Sequence, residues 1–400
     1  MDITVETAEG ADAPDLLAAK LARLGTPSLV IVQANAACDI AKLANVLAGL
    51  GLPALVGATS CKGSMSHAGR APDLAAFVIS DPDGDYGASF AALEDAPARA
   101  AARATEAALV KADRPGEKPE LVWISGSPGA EEALLAGIES IVGPDVPIIG
   151  GSAADNSVAG GWRVFNETQS AQDGVAVAVM FPSEPVSFAY QNGYAPTDHK
   201  GIVTKAEGRT LIEIDGRPAA EAYDHWTNGA IPLAPQAETR QPILAASTFW
   251  PFGQKIACQH GVAQFLLAHP ATADRDGALH LFADVAEGTE LTQMSGSPDT
   301  LVARAGRVAA LARTAGGFQQ DQIAGALMVY CGGCRLAVDD RVDEVVAGVV
   351  DQLGAAPFLG LFTFGEQGRV LGAGNRHGNL MISCIVFGAK RGERLSHGAG

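Results

Sequence analysis

Residues 121–156 read LVWISGSPGAEEALLAGIESIVGPDVPIIGGSAADN, and their order decides the fold class. LVWIS (121–125) is an apolar run of strand length. Ser127 is placed to cap a helix, with Pro128 at its first position and Glu131 and Glu132 in its first turn, where the helix dipole favours acids. Leu134, Ile138 and Ile141 make an apolar stripe at helical spacing, and Gly143 supplies the stop. A short strand over 146–150 then runs into Gly-Gly-Ser-Ala-Ala-Asp-Asn. After a loop, GVAVAVMF (174–181) closes the unit.

The same order occurs twice more. SLVIVQA (28–34) is a strand, 39–50 carries Ile40, Leu43, Leu47 and Leu50 on one helical face, 54–57 runs into GATSCKG, and DLAAFVIS (73–80) closes. Near the end come a strand over 324–330 and a helix over 340–353 with Val342, Val345, Val346, Val349, Val350 and Leu353 on its buried face. A strand over 357–364, a Gly-Glu-Gln-Gly turn and a closing strand over 380–387 follow. Two strands joined through a helix form a parallel pair with a right-handed crossover. Each polar turn then lies at the carboxyl end of a strand, where open α/β sheets bind ligands. One Gly-rich turn is ordinarily only a turn; three at corresponding positions predict a shared ligand face. Between the second and third units, 186–295 changes to short strands with a helix near 219–226, and Ser297, Pro298 and Asp299 start a helix that runs to Gly316. The predicted class is α/β, with repeated strand–helix–strand units in two domains, 1–185 and 186–400, and Gly-rich ligand turns at strand carboxyl ends.

Composition narrows the function. Lys and Arg number 28 against 45 Asp and Glu, a net charge of −17, which argues against nucleic acid as partner. No polybasic run suits a membrane surface, and the longest apolar runs, such as 175–181, are too short to insert in a bilayer. The acidic start has no basic n-region, and six cysteines make no disulfide framework. A reducing cytoplasm is expected.

The motifs PIIGGSAADN (147–156), YCGGCR (330–335), DRVDE (340–344), PFLGLFTFGEQG (357–368) and NRHGNLMISCIVF (375–387), with EIDGRPAAEAYDHW (213–226) as the join, resemble the FIST family across nearly the whole chain. The resemblance implies an intracellular bacterial sensor of small ligands, amino acids among them. One branch of this length resembles haem-binding nitric oxide sensors that regulate histidine kinases or cyclic-di-GMP enzymes. This would make haem b the cofactor and a separate kinase or cyclic-di-GMP enzyme the partner.

The candidate ligand residues are Gly150, Gly151, Ser152, Asp155, Asn156, Arg335, Glu366 and Asn379. The family pattern of a Cys and an Arg in this stretch points to Arg335, which could clamp a carboxylate bidentately. Glu366 could bind an amino group, and Asp155, Asn156 and Asn379 could complete a polar rim; an Arg335–Glu366 ion pair joining two loops is the alternative. Cys331-Gly-Gly-Cys334 has no second pair for zinc. The next helix is expected only near residue 340, away from the position that activates a redox dithiol, so the pair reads as structural, with redox sensing as the alternative. His269 follows the apolar run 262–268 amid Phe249, Trp250, Phe252 and Phe265, which suits an axial haem ligand; a His beside a Pro stop is the alternative. His225, His260, His280 and His377 are further candidates, while His67, His199 and His397 sit in polar loops. No G-x-S-x-G elbow, Walker A run or HExxH is present. An enzyme would have to use Cys331 or Cys384 with His377 as base, or the Arg335/Glu366 pocket.

Overall fold

The computed structural model describes residues 1–390 except 95, 232, 234–239 and 260; His260 and His397 lie outside the described residues. The α/β class holds, and each of the three repeats is longer than its sequence signature. Every unit has an edge strand, an inner strand, a turn strand, a hairpin and a closing strand. The edge strands are Asp2–Ala8, Asp85–Ala92 and Val186–Gln191. The inner strands are Leu29–Asn35, Leu121–Gly126 and Ile323–Cys331. The turn strands are Leu55–Ser60, Ile148–Ser152 and Phe358–Thr363. The closing strands are Leu74–Ser80, Gly174–Phe181 and Ile382–Gly388. Inner and turn strands pair in parallel, with Val32, Ile124 and Met328 opposite Gly57, Gly150 and Gly360.

The hairpins are exchanged. The first unit's hairpin, Ser64–Ser66 with Gly69–Ala71, adds to the third unit's turn strand. The second unit's, Val164–Phe165 with Ser170–Ala171, adds to the first. The third unit's, Glu366–Val370 with Gly374–Gly378, adds to the second. Three six-stranded sheets result, each completed by the hairpin of another unit.

The strands are apolar on both sides because both sides are covered. Ile31, Trp123, Leu327 and Val329 face one central core, where Phe77 and Phe387 lie 5.7 Å apart. Their alternating neighbours face helices. Leu17, Leu43 and Leu47 cover Val30 and Val32; Ala104, Leu134 and Ile138 cover Val122 and Ile124; Ala305, Val308 and Val345 cover Met328 and Tyr330. The molecule is therefore three sheets around a shared interior with helices outside. Among the described residues, the segment between the third edge strand and helix Pro298–Ala315 builds a separate nine-stranded sheet with its own core around Tyr223, Trp226 and Phe252.

Two local expectations change. Ser127 caps no helix: its hydroxyl exchanges hydrogen bonds with the backbone of Gly174 at the start of the closing strand. The helix begins at Glu131, whose own carboxylate accepts the Gly129 amide. A helix also starts much earlier than residue 340. Gly332–Ala337 is helical with Cys331 as its N-cap residue, followed by a 3-10 turn and Val342–Leu353.

Candidate functional site

The three turns meet. The Ala154 amide donates to the Thr59 carbonyl (2.8 Å), Phe364 to Ser152 (3.2 Å) and Cys61 to Phe362 (2.9 Å). These three bonds occupy equivalent positions, and each crosses from one unit to another, so the carboxyl ends of the parallel strands close into a ring. The side chains just beyond the turns give this face its chemistry.

Gly150, Gly151 and Ser152 are buried under the third unit's hairpin, with Gly150 opposite Gln367 and Gly151 opposite Glu366. A Cβ on Gly151 would strike Thr363, whereas one on Gly150 would strike the Ile124 carbonyl of the neighbouring strand, so the two glycines serve different close approaches. Ser152 Oγ donates to Glu131 Oε1 at 2.8 Å. Asp155 spends its carboxylate on its own loop: the amides of Ser157, Val158, Ala159 and Gly161 all donate to it. Burial opposes its charge, but these four donors hold its pKa below the ordinary value. Asn156 joins two units, accepting from the Lys62 amide (2.6 Å) and donating to Asn35 Oδ1 (2.8 Å). Asp155 and Asn156 thus shape the rim by ordering backbone.

Arg335 and Glu366 look into different surroundings, and no hydrogen bond or ion pair among the described residues joins them. Arg335 Nη1 binds Asp339 Oδ1 at 2.7 Å, and the guanidinium lies 5.4 Å from the Phe362 ring centroid. Lys62 Nζ is 3.7 Å from the same Asp339 oxygen. Arg335 Nε is buried and has no partner. The indole N–H of Trp162 is in the same condition. Phe364 stands between the two: its ring meets Trp162 edge-on at 6.2 Å, and it borders Gly332 at the start of the Arg335 helix. Glu366 points inward, accepting from Thr363 Oγ1 and the Met381 amide, both at 2.9 Å. Burial, then Cys331, pushes its pKa well up, which favours the neutral acid.

Asn379 ties the third unit to the inserted sheet. Its amide donates to the Leu267 carbonyl and its Oδ1 accepts the His269 amide at 3.1 Å. His269 is 2% exposed, and burial lowers its pKa to about 4. Its Nε2 lies 3.2 Å from the Leu244 carbonyl and 3.0 Å from Ser247 Oγ. The tautomer that satisfies the carbonyl places the proton on Nε2. That nitrogen is therefore enclosed by hydrogen-bond partners, an environment that does not fit an axial bond to haem iron. Among the described residues, no cluster of three or more His, Cys, Asp or Glu could hold a metal.

Two buried charged groups at these junctions were not among the candidate site residues. Glu131, buried at the start of its helix, receives Arg209 Nη2 at 2.6 Å across the junction with the inserted sheet. Arg304 is buried in helix Pro298–Ala315 beside Cys334. Its signal was legible in principle: an arginine at helical spacing from Leu301, Ala305 and Val308 belongs to the buried stripe.

The FIST N domain matches residues 28–217 and the FIST C domain residues 219–369. An uncharacterized protein of Methanocaldococcus jannaschii is 36% identical over 78 residues, which are 20% of this chain and only 15% of that protein. A cyanuric acid hydrolase structure from A. caulinodans covers 47% of this chain and 70% of its own, at 15% identity and a TM-score of 0.30. Among the described residues, no helix is long and apolar enough to cross a membrane.

Proposed function

Because the chain belongs to the FIST family, a family of signal-transduction sensors for small ligands, we propose that it receives a small carboxylate-bearing metabolite, an amino acid or a close analogue, at the ring of turns. The observation that carries this reading is Arg335. It sits just past the carboxyl end of an inner strand, is nine-tenths buried, and keeps an unpartnered Nε beside Lys62 and Asp339. A guanidinium of this kind suits a carboxylate, and the adjacent Asp339 carboxylate suits an ammonium. The bound state would be read in the cytoplasm by a separate histidine kinase or cyclic-di-GMP enzyme.

An enzyme finds less support. Among the described residues no hydrogen bond or ion pair joins Arg335 to Glu366, and His377 is engaged by Gln367 and the Phe282 carbonyl with no hydrogen bond to Cys331 or Cys384. Haem and nitric oxide, which the resemblance to the haem-binding branch implies, lack support at His269. An absorption spectrum after growth with haem checks this; a Soret band lost in His269→Ala would reinstate the haem reading.

The test of the ligand reading is calorimetric titration of amino acids and small carboxylates into wild-type, Arg335→Ala and Arg335→Lys protein. At least one carboxylate binds the wild type. Arg335→Ala weakens it by about 2–5 kcal/mol, the cost of removing one partner of a desolvated charge contact, and Arg335→Lys does not restore it. Undiminished binding in Arg335→Ala, or no carboxylate bound by the wild type, rejects the proposal.

A further inference from the structure

Arg304 presents a charge problem that its surroundings solve in one way. Its side chain is 1% exposed in the middle of helix Pro298–Ala315. The guanidinium lies 5.5 Å from the Tyr194 ring centroid and 5.2 Å from that of Tyr330. Nη1 donates to the Leu380 carbonyl at 2.8 Å and Nη2 to Cys334 Sγ at 3.2 Å, while Nε has no partner. Arginine does not give up its proton in proteins, and a buried cation without a counter-ion is strongly disfavoured. Among the described residues no carboxylate forms an ion pair with it. Glu366 is the carboxyl whose charge reaches it, yet that group is engaged by Thr363 and the Met381 amide and is favoured neutral. Tyr330 hydrogen-bonds the Leu301 carbonyl and Tyr194 the Thr248 carbonyl through their hydroxyls, so both remain phenols. The Cys334 thiol, more acidic than either phenol, accepts the Nη2 hydrogen bond.

We infer that Cys334 is held as a thiolate, the counter-ion of Arg304, and that with Cys331 it forms a buried dithiol oxidised to a disulfide by hydrogen peroxide. The groups around the sulfur agree. Cys331 is the N-cap residue of the same short helix, three residues before Cys334, and the Tyr194 hydroxyl, which donates to Thr248, stands 3.7 Å from Cys334 Sγ. His269, whose ring borders Gly333 between the two cysteines, is neutral. Burial works against the thiolate, but the neighbouring Cys331 thiol and Arg304 bring the Cys334 pKa below its ordinary value, whereas burial raises that of Cys331. The two sulfurs thus differ in role. Cys334 Sγ attacks one peroxide oxygen: an S–O bond forms, the O–O bond breaks, and hydroxide departs. The Cys331 sulfur then attacks the sulfenic sulfur: the S–S bond forms, the S–O bond breaks, and the second oxygen leaves as water with the Cys331 proton. Thiol, thiolate and peroxide become disulfide, water and hydroxide; the sulfurs lose the two electrons that peroxide gains. Peroxide is small enough for sulfurs that are 5% and 0% exposed, where a bulky disulfide reagent is not. Oxidation removes the counter-ion of Arg304, so the oxidised protein is less stable than the reduced one. This site is independent of the ligand reading above.

The experiment is peroxide titration of the reduced, folded, full-length protein with peptide mapping by mass spectrometry. The expected product is a Cys331–Cys334 peptide lighter by two hydrogens, formed while a bulky aromatic disulfide leaves both thiols untouched, with a lower melting temperature that reductant reverses. In Cys331→Ser a sulfenic acid is trapped on Cys334. In Arg304→Met, folding being checked by circular dichroism, about tenfold more peroxide is needed as the thiolate fraction falls; Arg304→Lys, which keeps the cation, stays closer to wild type. The wild-type mapping needs no variant and decides alone. Oxidation confined to Cys38 or Cys258, a sulfenic acid on Cys331, or two reduced thiols at saturating peroxide overturns the inference.

Discussion

At His269, burial and protonation oppose each other. Its folded pKa of about 4 lies below the unfolded value of 6.5, so the unfolded chain takes the proton first. The stabilisation is complete above pH 6.5 and is lost as pH falls toward 4. At pH 5 the loss corresponds to about 1.5 pH units at 1.36 kcal/mol each, about 2 kcal/mol. Urea unfolding at pH 7.5 and pH 5 should show this drop in the wild type and a smaller one in His269→Gln. Equal drops would mean that another group titrates. The carboxylates with depressed pKa, Asp155 and Glu131, act lower: their contribution is present above about pH 4.5 and is lost below it. The burial of His269 was legible from the apolar run before it. Its partners were not, because Ser247 and Leu244 lie in a separate segment that only the inserted sheet brings alongside.

Among the elements, the exchanged hairpins are the feature that no local pattern announces. Each places one residue opposite the equivalent glycine of another unit: Phe165 on Gly57, Gln367 on Gly150 and Met65 on Gly360. A Cβ on Gly57 would stand 2.2 Å from the Phe165 ring. Phe165 is fully buried, so Phe165→Ala should cost about 3–5 kcal/mol. Gly57→Ala should also destabilise, but much less when combined with Phe165→Ala, since the ring it strikes is gone. Additive losses in thermal or urea unfolding would refute the contact. By contrast, helix Ala219–Trp226 and strand Gly174–Phe181 were readable to the residue. The helix starts at Ser297 as read, and the structure adds its capping box with Thr300. Ser127 misled because its hydroxyl is taken by a distant strand, and tertiary partners override a local cap.

For the molecule as a whole, cyclic exchange makes the three sheets depend on one another. Residues 1–185 alone would leave the hairpin Ser64–Ser66 and Gly69–Ala71 without strand Phe358–Thr363, and strand Ile148–Ser152 without Glu366–Val370. The central core would lose Leu327, Val329, Leu359, Ile385 and Phe387. This fragment should therefore lack a cooperative thermal transition and expose apolar surface to a dye such as ANS, whereas the full chain melts cooperatively. A sharp, dye-free transition in the fragment would show that the exchange is dispensable. The sequence by itself determined the α/β class and the three repeats, with a polar stretch near each strand's carboxyl end; the residues read as turns, Gly57, Gly150, Gly151 and 366–368, stand within strands. Hydrophobic period and turn chemistry are local properties, written wherever an element buries a face. Only the tertiary structure decided that the repeats exchange hairpins and close into a ring, that Arg335 turns to Asp339 while Glu366 turns inward, and that Arg304 rests on Cys334. Those outcomes depend on contacts between residues far apart in the chain, and the desolvation that sets their charge exists only once the surrounding sheets are in place.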